Sequence, residues 1–368
     1  MHKIVRLIVA SGEQCADLRY AAGFSTPDEF IYFDDGTRRG VVMSALEYGR
    51  AIHSAPRDVE VHAETEFGRN RLEILSGIAS MLRSGVFLVP TDFPLALADR
   101  LRENGFKVVP ETGAFFPSRE WKRPEEVEEI VRSQRAGEAG CRRAFAVLRE
   151  TDVDRSGRLV WNGEILTSEI LRGEIDVEMV RLGMLPTGTI CAGGEQGAQP
   201  HNIGSGPLFA DRPIVMDIFP RSACSGYWGD LTRTVVRGRA SDLVKRAYDA
   251  VLAARELGKS LIAIGADPAE IHRAAAESME KAGFHTGEGE KAAFGFFHGL
   301  GHGVGLDIHE APRLSLRNNV PFRGGEVVTV EPGLYYPEWG GIRLEDLVWL
   351  APSGEARCLT ELEDFLEL

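Results

Sequence analysis

Residues 213–236 read PIVMDIFPRSACSGYWGDLTRTVV, two apolar runs flanking the polar centre Arg221-Ser-Ala-Cys-Ser-Gly226. This is a β-hairpin pattern. With the turn centred between Ala223 and Cys224, Asp217 stands opposite Asp230, and directly opposed residues have Cβ atoms roughly 5 Å apart. Two carboxylates held that close are unfavourable unless one takes a proton or a cation lies between them. A solvated hairpin face carrying two unrelated acids would give the same string, so this segment alone leaves both readings open.

Residues 326–350, EVVTVEPGLYYPEWGGIRLEDLVWL, repeat the arrangement with glutamates. The turn-forming centre is Tyr336-Pro-Glu-Trp-Gly-Gly341, and a midpoint at Glu338 sets Glu331 opposite Glu345. Both stand among Val, Thr, Ile and Leu, a composition that implies a largely buried sheet face. Two hairpins that each present an opposed acid pair carry four negative charges, which two divalent cations neutralise by addition. Neither hairpin holds enough Lys or Arg to do so.

A third segment, FFHGLGHGVGLDIHEAPR at 296–313, places His298, His302 and His309 within twelve positions of a chain with nine histidines. Gly299, Gly301, Gly303 and Gly305 thread them. Glycines at this density break a helix, and they let backbone approach a ligand closely while aiming the imidazoles inward. A single histidine is more often a satisfied core residue; three so close point to a site. Rival motifs fail on spacing. His309-Glu310 begins like H-E-x-x-H, but Arg313 stands where the second His belongs, and Val304 and Leu306 occupy the third-glycine positions of G-x-G-x-x-G. An imidazole with four carboxylates suits Mn²⁺, Co²⁺, Zn²⁺ or Fe²⁺, and the absence of thiolate ligands argues against a structural zinc cage.

Around this cluster the chain is long enough for two domains, at 368 residues with 43% apolar and 26% charged residues. Its formal charge of −13 disfavours nucleic acid and anionic membrane surfaces as partners. No run of roughly 18 uncharged apolar residues occurs, and the start is too weakly apolar for a secretory signal, so the cytoplasm is expected. The five cysteines form no C-x-x-C pair and read as reduced thiols. Residues 1–117 alternate short apolar runs (VRLIVA, VFLVP) with helical stretches such as TEFGRNRLEILSGIASMLRSG, an α/β unit without a catalytic cluster. A polar segment then leads to Pro124, suited to the first turn of a helix, so the boundary is expected at 117–123 and the second domain at 124–368. There helices interleave with β-rich runs at 213–237 and 326–350, an α+β pattern. Asp267 and Glu270 form a capping-box pattern, with Gly283 as the helix stop.

The ordered set Asp217, Asp230-LTRT, G-His302-G-V-G, Glu331-P-G and IR-L-Glu345-D resembles the pita-bread metallopeptidase family, which includes aminopeptidase P, prolidase and methionine aminopeptidase. The motif resemblance covers about residues 195–350. CADLRYAAGFSTPDEFIYF is similar to an N-terminal pattern shared by prolidase, aminopeptidase P and creatinase. The resemblance implies an α+β chain: a creatinase-like α/β N-terminal domain, then a pita-bread catalytic domain, often assembled as a homodimer. It implies two divalent metal ions, Mn²⁺ foremost, with Asp217 on one, Asp230 and Glu345 bridging, and His302 with Glu331 completing the second. It implies water as the nucleophile, Glu331 as proton shuttle, His201, His298 and His309 at the substrate or oxyanion, and Arg343 behind the ligands. The implied substrates are small peptides, cleaved at Xaa-Pro bonds. Two alternatives are a creatinase-like amidinohydrolase, a branch that works without metal and has lost ligands present here, and a non-enzymatic binding protein on the same fold. The sequence departs from the family pattern at Ile218 and Phe219, where a small residue is common two positions after the Asp, at Asn202, and in a first hairpin about two residues longer. These departures bear on the shape of the substrate pocket.

Overall fold

The computed structural model describes residues 3–289 and 293–368. The chain divides into two compact units, Met1–Arg119 and Glu120–Leu368. In the first, six strands form one mixed sheet in the spatial order Glu60–Ala63, Arg39–Met43, Glu29–Asp34, Ile4–Ser11, Val86–Val89, Lys107–Pro110. Successive residues of these strands enter two cores on opposite faces. Leu7, Ile31 and Phe33 pack on the helix Arg71–Leu82, and Ile8, Phe30 and Tyr32 pack on the helix Ala16–Ala22. Both faces are covered, which is why Leu7-Ile8-Val9-Ala10 runs apolar without alternating. The helix expected over 65–85 begins only at Arg71, because the Asn70 side chain accepts the Glu73 N–H and caps it there.

In the second unit each of two helix pairs covers β-structure. Pro124–Arg149 and Ser168–Arg181 share a core with the three-stranded sheet Ile190–Gly193, Pro213–Ile218, Leu231–Val236. Asp242–Ser260 and Pro268–Lys281 share another with the five-stranded antiparallel sheet Glu310–Leu314, Gly301–Gly303, Val327–Val330, Asp346–Leu350, Ala356–Cys358. The architecture is α+β, as the interleaved pattern predicts. Pro124 does occupy the first helical turn. The capping box at 267–270 is only half formed. Asp267 accepts the Ala269 N–H, a cap that contributes about 1 kcal/mol, but Glu270 turns outward to pair with Arg273. Gly283 ends that helix at φ +93°. All five cysteines are free thiols. Among the described residues no helix is long and apolar enough to cross a membrane.

Candidate metal centre

The second hairpin folds in the register its composition implies. Val330 pairs with Asp346 on one side of the acids and Gly333 with Arg343 on the other, so Glu331 and Glu345 lie across from each other at a break between two ladders. The break has a purpose. Glu331 N donates to Leu300 O at 2.8 Å and Glu345 N to Thr232 O at 3.0 Å, so each glutamate is stitched to a neighbouring segment of the site instead of to its own hairpin.

The first hairpin differs from expectation. Asp217 pairs with Thr232 and Ile218 with Leu231, and the bond from Gly229 N to Pro220 O extends the same register toward the tip. The turn is therefore centred between Cys224 and Ser225, one residue later, and Asp230 is not directly opposite Asp217. The cause lies at Trp228, whose backbone N–H reaches Gly305 O and whose indole N–H reaches Leu306 O, bonds that fix the returning strand. A slip of two residues in register leaves side-chain parity unchanged. Both carboxylates consequently still face the site.

His302 sits mid-strand in Gly301–Gly303. Its Nδ1 faces Gly303 O at 3.2 Å, which turns Nε2 toward Glu331 Oε1 at 3.2 Å and Asp230 Oδ2 at 3.6 Å. The flanking glycines are required by strand packing, and Gly301 also lines the cavity. A Cβ on Gly301 would lie 1.9 Å from Thr329 O, and one on Gly303 2.2 Å from Ala311 O.

Asp230, His302 and Glu345 are all buried and each offers one ligand atom within 4.8 Å of the others. Glu331 joins them through His302. Asp217 gives one oxygen to Arg343 Nη2 at 2.7 Å, while its Oδ1 is buried with no hydrogen-bond partner. Burial raises the carboxyl pKa of Asp217 despite Arg343. Burial, reinforced by the charges of Glu345, Asp217 and Glu331, pushes Asp230 well above the carboxylate range. Glu345 is pushed up in the same way by burial and by Glu331 and Asp217. At Glu331 burial is outweighed by the hydrogen bond and charge of His302, with His298 and Arg343, and its pKa is lowered. An orphaned carboxylate oxygen among acids that resist ionising together fits a divalent cation in donor type and charge.

Arg343 ties the site together. It donates to Asp217, to Tyr335 Oη at 3.0 Å and through Nε to Thr232 Oγ1 at 3.2 Å, and Thr232 in turn donates to Glu345 Oε2 at 2.7 Å. His298 is committed on both nitrogens, with Nδ1 to Gly299 O at 2.8 Å and Nε2 to Tyr335 Oη at 2.9 Å. Burial depresses its pKa, so it is a neutral ring held inside this network rather than one free to reach a ligand. His309 stands perpendicular to His302 with ring centroids 4.3 Å apart, and burial followed by the charges of His302 and Arg313 brings its pKa down to about 4. His201 is exposed at the rim. All nine expected residues (Asp217, Asp230, His302, Glu331, Glu345, His201, His298, His309, Arg343) line one cavity of about 690 Å³, with Ile190, Ile203, Phe219, Phe297 and Ile308 as its apolar wall.

Four further residues hold this geometry. Gln134, buried in the long helix, accepts the Asp230 N–H at 2.8 Å, and nothing in its sequence context marks it. Thr232 bridges Arg343 to Glu345, Tyr335 bridges it to His298, and Arg233 donates to Glu345 O at 2.7 Å. Thr232 and Arg233 lie in the strand that follows Asp230. The period of two puts Thr232 on the acid's face, which was the available signal.

The model of metallopeptidase family M24 matches residues 128–352. An Xaa-Pro dipeptidase of Pyrococcus furiosus is 35% identical over 175 residues, 48% of this chain and 47% of that protein. The alignment thus spans about half the length of that relative. In three dimensions an Xaa-Pro dipeptidase from Bacillus anthracis superposes with a TM-score of 0.83 at 22% identity, covering 99% of this chain and 95% of the other. An X-Pro aminopeptidase from Thermotoga maritima does so with a TM-score of 0.82 at 25% identity, covering 99% and 97%. The chain thus shares the fold of these peptidases, with the pita-bread architecture in its second unit. With the family model spanning more than half of the sequence and every motif of the site inside it, the chain belongs to metallopeptidase family M24.

Proposed function

We propose that this chain is a dinuclear metal-dependent peptidase that hydrolyses the Xaa-Pro bond at the N-terminus of peptides or in dipeptides. The observation that carries the reading is the convergence of His302 with four carboxylates, Asp230 and Glu345 buried and Asp217 and Glu331 half-buried, with Asp217 Oδ1 unpartnered and the pKa values of Asp230 and Glu345 pushed up by burial and by the charge of neighbouring carboxylates. Asp217 would hold one ion, Asp230 and Glu345 would bridge both, and His302 with Glu331 would complete the second. Manganese is the preferred candidate, with cobalt, zinc or iron as substitutes. When bound, the pair supplies Lewis acidity for the scissile carbonyl and lowers the pKa of the attacking water.

The protein's own groups do the rest. Arg343 keeps one oxygen of Asp217 oriented and offsets part of the effect of burial on its carboxyl. Glu331, whose depressed pKa makes it a carboxylate at neutral pH, takes a proton from water and passes it to the leaving amine. His309 is neutral there and offers a ring N–H to the developing oxyanion. His201 and the aromatic wall face the substrate, and His298 acts through Tyr335. Proline makes the scissile bond a tertiary amide without an N–H, so recognition falls on its carbonyl and on the free amine of the first residue. The homology to Xaa-Pro peptidases supports this choice over an amidinohydrolase or a binding protein, because the full ligand set is kept. We place the working enzyme in the cytoplasm as a homodimer, with residues 1–117 as a creatinase-like domain.

The test is metal analysis of purified protein joined to a panel of Xaa-Pro and Xaa-Ala dipeptides and tripeptides, free and N-acetylated. About two ions per chain and manganese- or cobalt-stimulated release of the first residue from free Xaa-Pro peptides are expected. Equal cleavage of Xaa-Ala or of acetylated peptides would remove the proline assignment.

A further inference from the structure

We infer that Lys122 and Glu310 are a positioning pair for His309, an inference that rests on His309 acting at the substrate carbonyl as proposed above. Their side chains are only 2% and 9% exposed and meet at 2.5 Å. Lys122 is itself held, since its backbone N–H donates to Gly325 O at 2.8 Å just ahead of the long helix. Glu310 directly follows His309, so whatever fixes its carboxylate fixes the loop's C-terminal end.

The fit around Glu310 is tight. The strand pair shifts register between His302 and Gly303, so Glu310 falls opposite Gly303 while Arg313 falls opposite His302. Such a bulge re-aims the residues beside it. The Glu310 carboxylate lies against Gly305, where an added Cβ would come within 2.3 Å of Oε1, and it faces the Asp307 N–H at 3.4 Å. At its other end the loop is pinned by Trp228, through Gly305 O at 2.9 Å and Leu306 O at 3.1 Å. His309 rides between these anchors, with its ring against His302 and none of its own side-chain hydrogen bonds among those the described residues make. The ring therefore has no lock of its own, and its placement is set by the two ends of the loop. Neither Lys122 nor Glu310 lines the cavity, whereas His309, bonded directly to Glu310, does.

Glu310→Gln is the gentle variant, because its amide oxygen still accepts from Lys122, and Lys122→Met the harsher one. A misplacement of about 1 Å costs roughly a hundredfold in rate, so Glu310→Gln is expected to lower kcat roughly ten- to a hundredfold with KM and metal content little changed. His309→Ala alone is expected to lower kcat about 10²-fold or more. In the His309→Ala background Glu310→Gln should cost nothing further, and Lys122→Arg should restore most of what Lys122→Met loses. Equal losses in both backgrounds, or no loss in either, would overturn the pairing. A second readout needs no turnover: the imidazole NMR signal of His309, assigned by its loss in His309→Ala, should move in Glu310→Gln while that of His53 stays. A moved signal in a protein that cleaves no Xaa-Pro peptide would keep the positioning pair and remove the peptidase reading; an unmoved signal would remove the pair.

Discussion

Gly229→Ala adds one carbon beside Asp230 without altering any proposed ligand, yet the structure assigns it a large effect. A Cβ at 229 would lie 2.5 Å from Gln134 N and 2.7 Å from Ser133 C. Both are backbone atoms inside the helix Pro124–Arg149, so no side chain can swing aside. Restoring ordinary contact requires the strand to retreat by about 1 Å, and overpacking of this kind costs about 1–3 kcal/mol. For a unit of this size that corresponds to a Tm lower by about 2–12 °C. The retreat carries Asp230 with it and breaks its bond to Gln134 Oε1, so the carboxylate of this proposed metal ligand moves relative to His302 and Glu345. The expected result is a folded protein that has lost metal affinity and roughly a hundredfold or more of kcat/KM. Differential scanning calorimetry, metal analysis and peptide kinetics on one preparation test it. Wild-type metal content and kcat/KM in Gly229→Ala would refute the claim that the helix sets the position of Asp230.

Two further outcomes follow from the acids. Glu345→Ala should lower metal content and activity together while circular dichroism stays native, and full activity in a metal-free sample of that variant would rule out the dinuclear reading. In chelated protein, Asp230 and Glu345 have folded pKa values above their unfolded ones, so their contribution is complete below pH about 4 and is lost as pH rises. Burial lowers the pKa values of His298 and His309, which works the opposite way, but above pH about 6.5 those two rings are neutral in both states, so wherever the two acids still hold their protons above that pH the stability of the chelated form should fall as pH rises. Metal binding must displace those protons, and its affinity should rise over the same window. Isothermal titration in buffers of different ionisation enthalpy would show proton release, and its absence would contradict the proposed protonation.

How far the sequence reaches depends on whether a contact is local. The Glu331–Glu345 register was legible because Tyr336 to Gly341 confine the turn and apolar residues occupy both arms. The Asp217–Asp230 register was misjudged by one turn position because it is decided by Trp228 docking on Gly305 and Leu306, residues nearly eighty positions away. The glycines beside His302 carry a second constraint that the sequence did not show, since the carbonyls of Thr329 and Ala311 crowd them. Gln134 and Lys122 were invisible. Each is an ordinary polar residue on or just before a charged helix, and only the fold reveals that it is buried.

Glu345 and Asp346 are consecutive acids with opposite fates, and the contrast explains why this site calls for metal. Side chains of adjacent strand residues point to opposite faces. Asp346 therefore points away from the cavity, where Arg233 at 2.9 Å, Lys259 at 2.7 Å and Arg255 at 3.3 Å outweigh burial and hold its pKa down. Glu345 points into the cavity, where burial and two other carboxylates hold its pKa up. Three cations thus lie within reach of the same strand and all serve its far face; on the near face Arg343 answers Asp217, and His302 answers Glu331. A peptide chain that folded merely to neutralise its acids would turn those cations inward. Keeping them behind the strand rigidifies the backbone of Glu345 through Arg233 while leaving its carboxylate and that of Asp230 without a Lys or Arg ion-pair partner among the described residues. The charge deficit is confined to the place where divalent ions would be bound.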